Sequence, residues 1–161
     1  MRAAAPQNRA RDLFEKAHRA QMKGELDRAV ELYKTSLEIH PTAEAHTYLG
    51  WTYHDQGNAE AAIAECKRAI AIDPDFGNPY NDIGAYLIAL GRYDEAIPWL
   101  EGATSAPRYG PRHYPHFNLG RAYFAKNMLK RARECFQRAL DIEPDYNLAR
   151  QAVDSLRRMI N

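Results

Sequence analysis

Between Leu49 and Pro74 the apolar positions recur at helical spacing in two short runs, with Leu49 and Tyr53 in the first and Ile63, Cys66 and Ile70 in the second. Gly57 separates the runs and Pro74 closes them, which predicts two helices folded back on each other. Small residues stand where such a pair must cross, Gly50 in the first run and Ala62 and Ala69 in the second, so the backbones can approach closely. One hairpin of this kind cannot bury its apolar surface alone, and the pattern therefore calls for copies on either side.

The copies are present. Ala62 recurs as Ala29, Ala96 and Ala132, at intervals of 33, 34 and 36 residues. The small residue at Gly50 recurs as Ala17, Gly84 and Gly120, and the bulky second-run position is filled by Tyr33, Cys66, Leu100 and Phe136. Gly57 matches Gly24 and Gly91, while Asn127 takes the fourth place and tolerates a left-handed backbone. Pro74 matches Pro41 and Pro144.

These registers resemble the tetratricopeptide repeat, a helix–turn–helix unit of about 34 residues with W-x2-L-G-x2-Y, then A-x3-F, then P. The resemblance runs from about Ala10 to Tyr146 and implies an all-α, right-handed superhelical solenoid of four repeats, at 10–42, 43–76, 77–112 and 113–146. Residues 1–8 are expected as a short disordered lead and 147–161 as a C-terminal capping helix. No copy has the first tryptophan of the motif, whose place is taken by Leu13, His46, Tyr80 and His116. The first copy departs furthest, with Lys16 and Ala20 where the pattern wants apolar and aromatic residues.

Local signals refine the elements. Asn8, Thr42 and Asn78 are expected to cap first helices, the last of them followed by Pro79 in the first turn. Pro98 falls in or just past the first turn of the sixth helix, which is expected to survive to near Ser105. The connection SAPRYGPRHYP is longer than the repeat period requires, and such insertions lie on one rim and can take part in binding. In the tail, Leu148, Ala152, Val153, Leu156 and Ile160 form one side, as a cap that keeps a solenoid end soluble requires.

Charge and composition narrow the functions. Lys and Arg total 22 against 21 Asp and Glu, a net charge of +1, which argues against a nucleic-acid surface driven by clustered cations. The first residues lack the apolar core of a secretory signal and no run approaches a membrane span, so a soluble, cytoplasmic monomer is the default, given Met1 as the true start. Cys66 and Cys135 lie in copies two and four with a whole repeat between them, too far for a disulfide, and read as buried free thiols.

In the resembled family, first helices line a concave surface and carry side chains not used for packing. Projected onto this chain, that register gives Phe14, Glu15 and His18, then Tyr48, Trp51, His54 and Asp55. The third copy supplies Asn78, Asn81, Asp82, Ala85 and Ile88, and the fourth Tyr114, Phe117, Asn118, Arg121 and Phe124. Aromatic rings around asparagine amides suit a peptide: the amides meet backbone groups and the rings supply contact area. Arg121 offers a fork for a carboxylate or carbonyls. The bland alternative is that Trp51, Phe117 and Phe124 pack against a neighbouring repeat or the cap.

Other chemistry is poorly represented. The lysine, asparagine and arginine clamp by which some tetratricopeptide domains hold a chaperone's C-terminal carboxylate lacks its cations in either register tried. His113 and His116 form H-x-x-H, without the further ligands of a zinc site, so neither a metal nor another cofactor is expected. No nucleophile, base or phosphate loop appears at diagnostic spacing, and an enzyme is the least favoured class. The expected function is a non-catalytic module binding a peptide segment of a partner, as scaffold or adaptor. Self-assembly through solenoid ends, or service as an accessory subunit of a bacterial envelope or pilus assembly machine, are the alternatives.

Overall fold

The structure, a computed structural model, describes residues 4–160. Among them lie nine helices and no strand: α1 (Ala4–Met22), α2 (Leu26–Ile39), α3 (Ala43–Asp55), α4 (Ala59–Ile72), α5 (Asn78–Ala89), α6 (Tyr93–Ser105), α7 (His113–Ala125), α8 (Leu129–Ile142) and α9 (Asn147–Ile160). Consecutive helices pair as hairpins, and α9 packs on α8. The chain divides after Pro74 into two compact units, the first holding α1–α4 and the second α5–α9.

Each hairpin turns on a residue that the backbone selects. Gly24, Gly57 and Gly91 have φ of 79°, 83° and 76°, and Asn127 takes the equivalent place with φ 60°. A side chain at these points is strained unless, like asparagine, it is short and polar. The helices cross where the small residues predicted. A Cβ added at Gly50 would stand 2.9 Å from the Ala62 carbonyl oxygen, and one at Gly120 would stand 2.6 Å from the Phe136 ring.

Packing in the first unit gathers Ala17, Ala20, Ala29, Val30, Tyr33 and Leu49, with Phe14, Leu32, Leu37, Tyr48 and Tyr53 against them. Polar groups inside are mostly tied: Ser36 donates to the Ala10 carbonyl at 2.7 Å, and the Tyr33 hydroxyl donates to Gln21 Oε1 at 2.8 Å. Buried Glu65 is held by His46 at 2.7 Å and by Arg68 on its other oxygen. In the second unit Ile83, Leu87, Leu100, Leu119 and Phe136 are buried, and α9 contributes Ala149, Val153 and Leu156.

Several expectations need correcting. Helix α1 begins at Ala4, so part of the expected disordered lead is helical; Pro6 sits in the first turn, where a missing amide donor is tolerated. Residues 1–3 lie outside the described residues. Thr42 caps α3 as expected, accepting from the Ala45 amide, but Asn78 is the first residue of α5 and Gly77 holds the cap position. Asn58 caps α4. Of the expected apolar side of α9 only Leu148 departs: it is exposed and Ala149 takes the buried place, while Val153 and Leu156 are buried and Ala152 and Ile160 half-buried. Cys66 is buried, whereas Cys135 is only half-buried.

The long connection is anchored. Arg108 forms a parallel bridge with Phe76, its amide donating to the Asp75 carbonyl at 3.0 Å and its carbonyl accepting from Gly77 at 2.9 Å. Arg112 ties the loop back to α6 through the Thr104 and Ala106 carbonyls at 2.9 and 2.7 Å. Buried Tyr109 lies so close to Gly77 that an added Cβ would stand 2.5 Å from its ring.

Candidate functional site

Two inner-helix faces carry the residues singled out by register, one in each unit. On the first, α1 and α3 bring Phe14, His18, Tyr48 and Trp51 into a chain of ring contacts. Phe14 meets Tyr48 edge-on at 5.2 Å, His18 meets it at 5.3 Å, and Trp51 lies 5.9 Å away. Tyr33 of α2 stacks on Tyr48 at 6.3 Å and closes the array from behind. Phe14 and Tyr48 are thus committed to core packing, which the register alone did not show. Trp51 remains 40 % exposed at the end of the chain of rings, and His54 is half-buried on the next turn.

On the second unit, α5 and α7 lie side by side and are joined by a polar ladder. Asn118 Nδ2 donates to Asn81 Oδ1 at 3.0 Å, and Arg121 donates to Asn118 Oδ1 at 3.0 Å. Both asparagines are buried, so these amides hold the two helices together before they hold anything else. This corrects the expectation of side chains unused in packing. Arg121 is exposed and has donors left over beyond its bond to Asn118.

Around the ladder stands a second aromatic array. Tyr114 and Tyr146 meet edge-on at 5.8 Å, Phe117 contacts Tyr146 and Phe136 at 5.2 Å each, and His113 packs 4.1 Å from Tyr114. Phe117 therefore packs inward, as the bland alternative held, whereas Tyr114 and Phe124 stay 43 % and 46 % exposed. Among the described residues no three His, Cys, Asp or Glu side chains gather to hold a metal ion.

Two tyrosines were missed by the repeat register. Tyr109 comes from the inserted loop and Tyr146 from the segment after Pro144, so neither has a motif position to mark it. The only signal was an aromatic residue within an overlong connection.

Asp82, beside Asn81 on α5, is the electrostatic anomaly. Burial pushes its carboxyl up to about 7. Tyr109 is its neighbour: burial, then the charges of Asp82 and Tyr114, hold that phenol well above its usual range. Burial also raises the phenol of Tyr146, with Tyr114 adding to it and Arg121 opposing.

A cleft of about 780 Å³ opens elsewhere in this unit, lined by residues of α6 to α9 that include His116, Arg131, Cys135, Arg138 and Arg157. Burial, with Glu134 adding, pushes the Cys135 thiol up to about 11, so it is not a nucleophile near neutral pH. Burial and then Arg138 lower His116.

Stacked helical hairpins with glycine or asparagine turns and small residues at each crossing define a helix–turn–helix repeat protein of the all-α solenoid class. Tetratricopeptide repeat models match residues 9–75 and 75–144. The chain belongs to the tetratricopeptide repeat family, whose members generally mediate protein–protein interaction.

Human tetratricopeptide repeat protein 13 is 30 % identical over 132 residues, which is 78 % of this chain and 15 % of that protein. The type IV pilus assembly protein PilF of Pseudomonas aeruginosa is 28 % identical over 119 residues, 73 % of this chain and 47 % of that protein. The chain thus spans less than half the length of either relative. A structure of Pseudomonas aeruginosa PilF superposes with a TM-score of 0.88 at 22 % identity, covering 94 % of this chain and 69 % of that one. The structure of YrrB, described as a TPR protein with an unusual peptide-binding site, gives a TM-score of 0.74 at 21 % identity, covering 89 % of this chain and 73 % of that one. At such identities these superpositions speak for the fold alone. No helix of the described residues is long and apolar enough to cross a membrane.

Proposed function

We propose that this chain is a non-catalytic binding module whose inner-helix faces hold a segment of a partner protein. The observation that carries this is the exposure of Trp51, Tyr114, Phe124 and Arg121 on first helices that their own packing already rigidifies. Large rings presented on a fixed scaffold lose little freedom when a ligand arrives, so most of the ordering falls on the ligand. Asn81 and Asn118 act as struts that set the spacing of α5 and α7, and Arg121 supplies a directional donor to a carbonyl or carboxylate of the segment.

The test is selection of peptides from a random dodecapeptide display library on the full chain. Kd is then measured on Trp51→Ala, Arg121→Ala and, at the cleft, Gln137→Ala. Peptides weakened about fivefold or more by at least one inner-face variant, and unchanged by Gln137→Ala, support the reading, since buried aromatic or arginine anchors commonly contribute this much. Peptides indifferent to both inner-face variants would place binding elsewhere.

A second reading follows from the likeness to PilF, found in sequence and in fold. On that reading the segment bound belongs to a component of type IV pilus assembly. Expression in Pseudomonas aeruginosa lacking PilF checks it: restored pili support it, and no pili at comparable protein level argue against it.

A further inference from the structure

The cleft walled by α6 to α9 is distinct from the inner-helix face of its unit: on α7 it is lined by His116 and Tyr123, whereas Tyr114 and Arg121 mark the inner face. We propose that this cleft is a further docking site, for an acidic segment of a partner protein whose carboxylates are taken up by Arg131 and Arg138.

Arg131, Arg133 and Arg138 of α8 and Arg157 of α9 line the cleft, and none of them makes a hydrogen bond or an ion pair among the described residues. Arginines elsewhere behave differently: Arg28, Arg68 and Arg92 each pair with a glutamate three residues away, and Arg112, Arg121 and Arg150 donate to carbonyl oxygens. Glu134 stands three residues after Arg131 and four before Arg138, the spacings at which helical ion pairs form, yet it pairs with neither. Glu101 of α6 is likewise unpaired, and the third acid of the cleft, Asp141, is taken by Gln137 at 2.9 Å. Four guanidinium groups thus share the cleft with two free carboxylates, and like charges gathered in a recess concentrate a positive potential that an arriving anion relieves.

Size and preorganisation narrow the kind of anion. The volume of about 780 Å³ falls within the roughly 300–1,000 Å³ of recesses that bury most of a bound ligand, and is more than a lone phosphate or carboxylate fills. Arg131 is laid over the Tyr123 ring, 5.1 Å from its centre, which steadies the guanidinium by its face and leaves its edge to a carboxylate. Arg138 follows two turns later, about 10.5 Å along the helix axis. Two carboxylates carried on one chain meet both forks, whereas a single small anion held by Arg131 in its place over Tyr123 does not span that interval.

The test is fluorescence anisotropy of a labelled octapeptide of alternating glutamate and glycine, and of its glutamine counterpart, on the full chain at physiological salt. The glutamate peptide should bind, and the glutamine peptide should bind at least about tenfold more weakly, the scale of charge-assisted hydrogen bonds. Arg131→Gln and Arg138→Gln should each weaken the glutamate peptide about fivefold or more. Lys34→Gln, which removes the same charge from the exposed surface of α2, should change it less than about twofold. Circular dichroism and a melting curve verify that each variant folds.

No binding of the glutamate peptide up to about 1 mM overturns the inference, as does equal binding of the two peptides. A loss on Lys34→Gln equal to that on the cleft variants overturns it too, because net charge and not the cleft then attracts the peptide. A loss on only one of the two arginines removes the two-point grip. A loss on Arg121→Ala without one on Arg131→Gln or Arg138→Gln assigns the acid to the inner face, which sinks the cleft site while leaving the inner-face reading in place. Inorganic phosphate is the small-anion control: displacement of the peptide by phosphate at concentrations below the peptide's own Kd would show a site for a free anion and not for a segment.

Discussion

Asp82 couples stability to pH in a direction opposite to that of most carboxylates. Its folded-state pKa of about 7 lies above the ordinary value of 3.8. Well below pH 4 both states hold the proton, and well above pH 7 neither does. Between these limits the folded protein binds a proton that the unfolded chain has released, so stability falls as pH rises through the window and is level outside it. Asp82→Asn should flatten this slope and raise stability near pH 8 by up to a few kcal/mol, less whatever partial solvent access removes. Urea denaturation of both proteins at about pH 5 and about pH 8 measures it. An unchanged difference between the two proteins would mean that the carboxyl is not held away from water. Single residues also show where pattern reading stops. Asn127 was legible as a turn residue because left-handed backbone admits few side chains, and its φ of 60° agrees. The commitment of Asn81 and Asn118 to each other was not, because a bond across 37 residues leaves no local trace.

Helices meet in this protein through absence of side chain. Gly84 is opposed by Leu100, and Gly120 by Phe136, with each added Cβ falling within 2.3 and 2.6 Å of its opposite number. Gly120→Ala should therefore destabilise the second unit by roughly 1–3 kcal/mol through overpacking, although alanine is the better helix former. The loss would be read as a lowered melting temperature; an unchanged or raised one would show that α7 and α8 can separate freely. Helix ends follow the same logic of local chemistry. Thr42 and Asn58 satisfy orphan amides with their own side-chain oxygens, whereas Asn78 does not, because Pro79 follows at the second helical position and Gly77 makes the turn. Caps are thus predicted well when residue and turn agree, and mislaid by one position when several candidates adjoin.

Across the molecule the repeats form two compact units, and the second ends in a helix that no repeat motif announces. Helix α9 covers α8 with Ala149, Val153 and Leu156, leaving its charged side outward. Truncation after Asp145 should expose the apolar face of α8, reduce the protection of α7 and α8 amides in hydrogen exchange, and increase binding of a hydrophobic dye. Unaltered exchange in α7 and α8 would mean that α9 adds no cover. Cys135, half-buried beside the cleft, stands one position before Phe136, which takes the buried place that Cys66 holds in the second repeat.

What the amino-acid order determined by itself was the repeat: the length of each hairpin, its left-handed turn and its small-residue crossing, since each depends on contacts within one or two helices. Only the tertiary structure decided which inward side chains are spent on packing and which remain open. Phe14, Tyr48 and Phe117 are half-buried against neighbouring rings, Trp51, Tyr114 and Phe124 stayed outside, and Tyr109 was brought from an irregular loop into the surroundings of Asp82. The reason is physical: burial of a side chain depends on what neighbouring helices and loops place over it, and helical spacing does not record that.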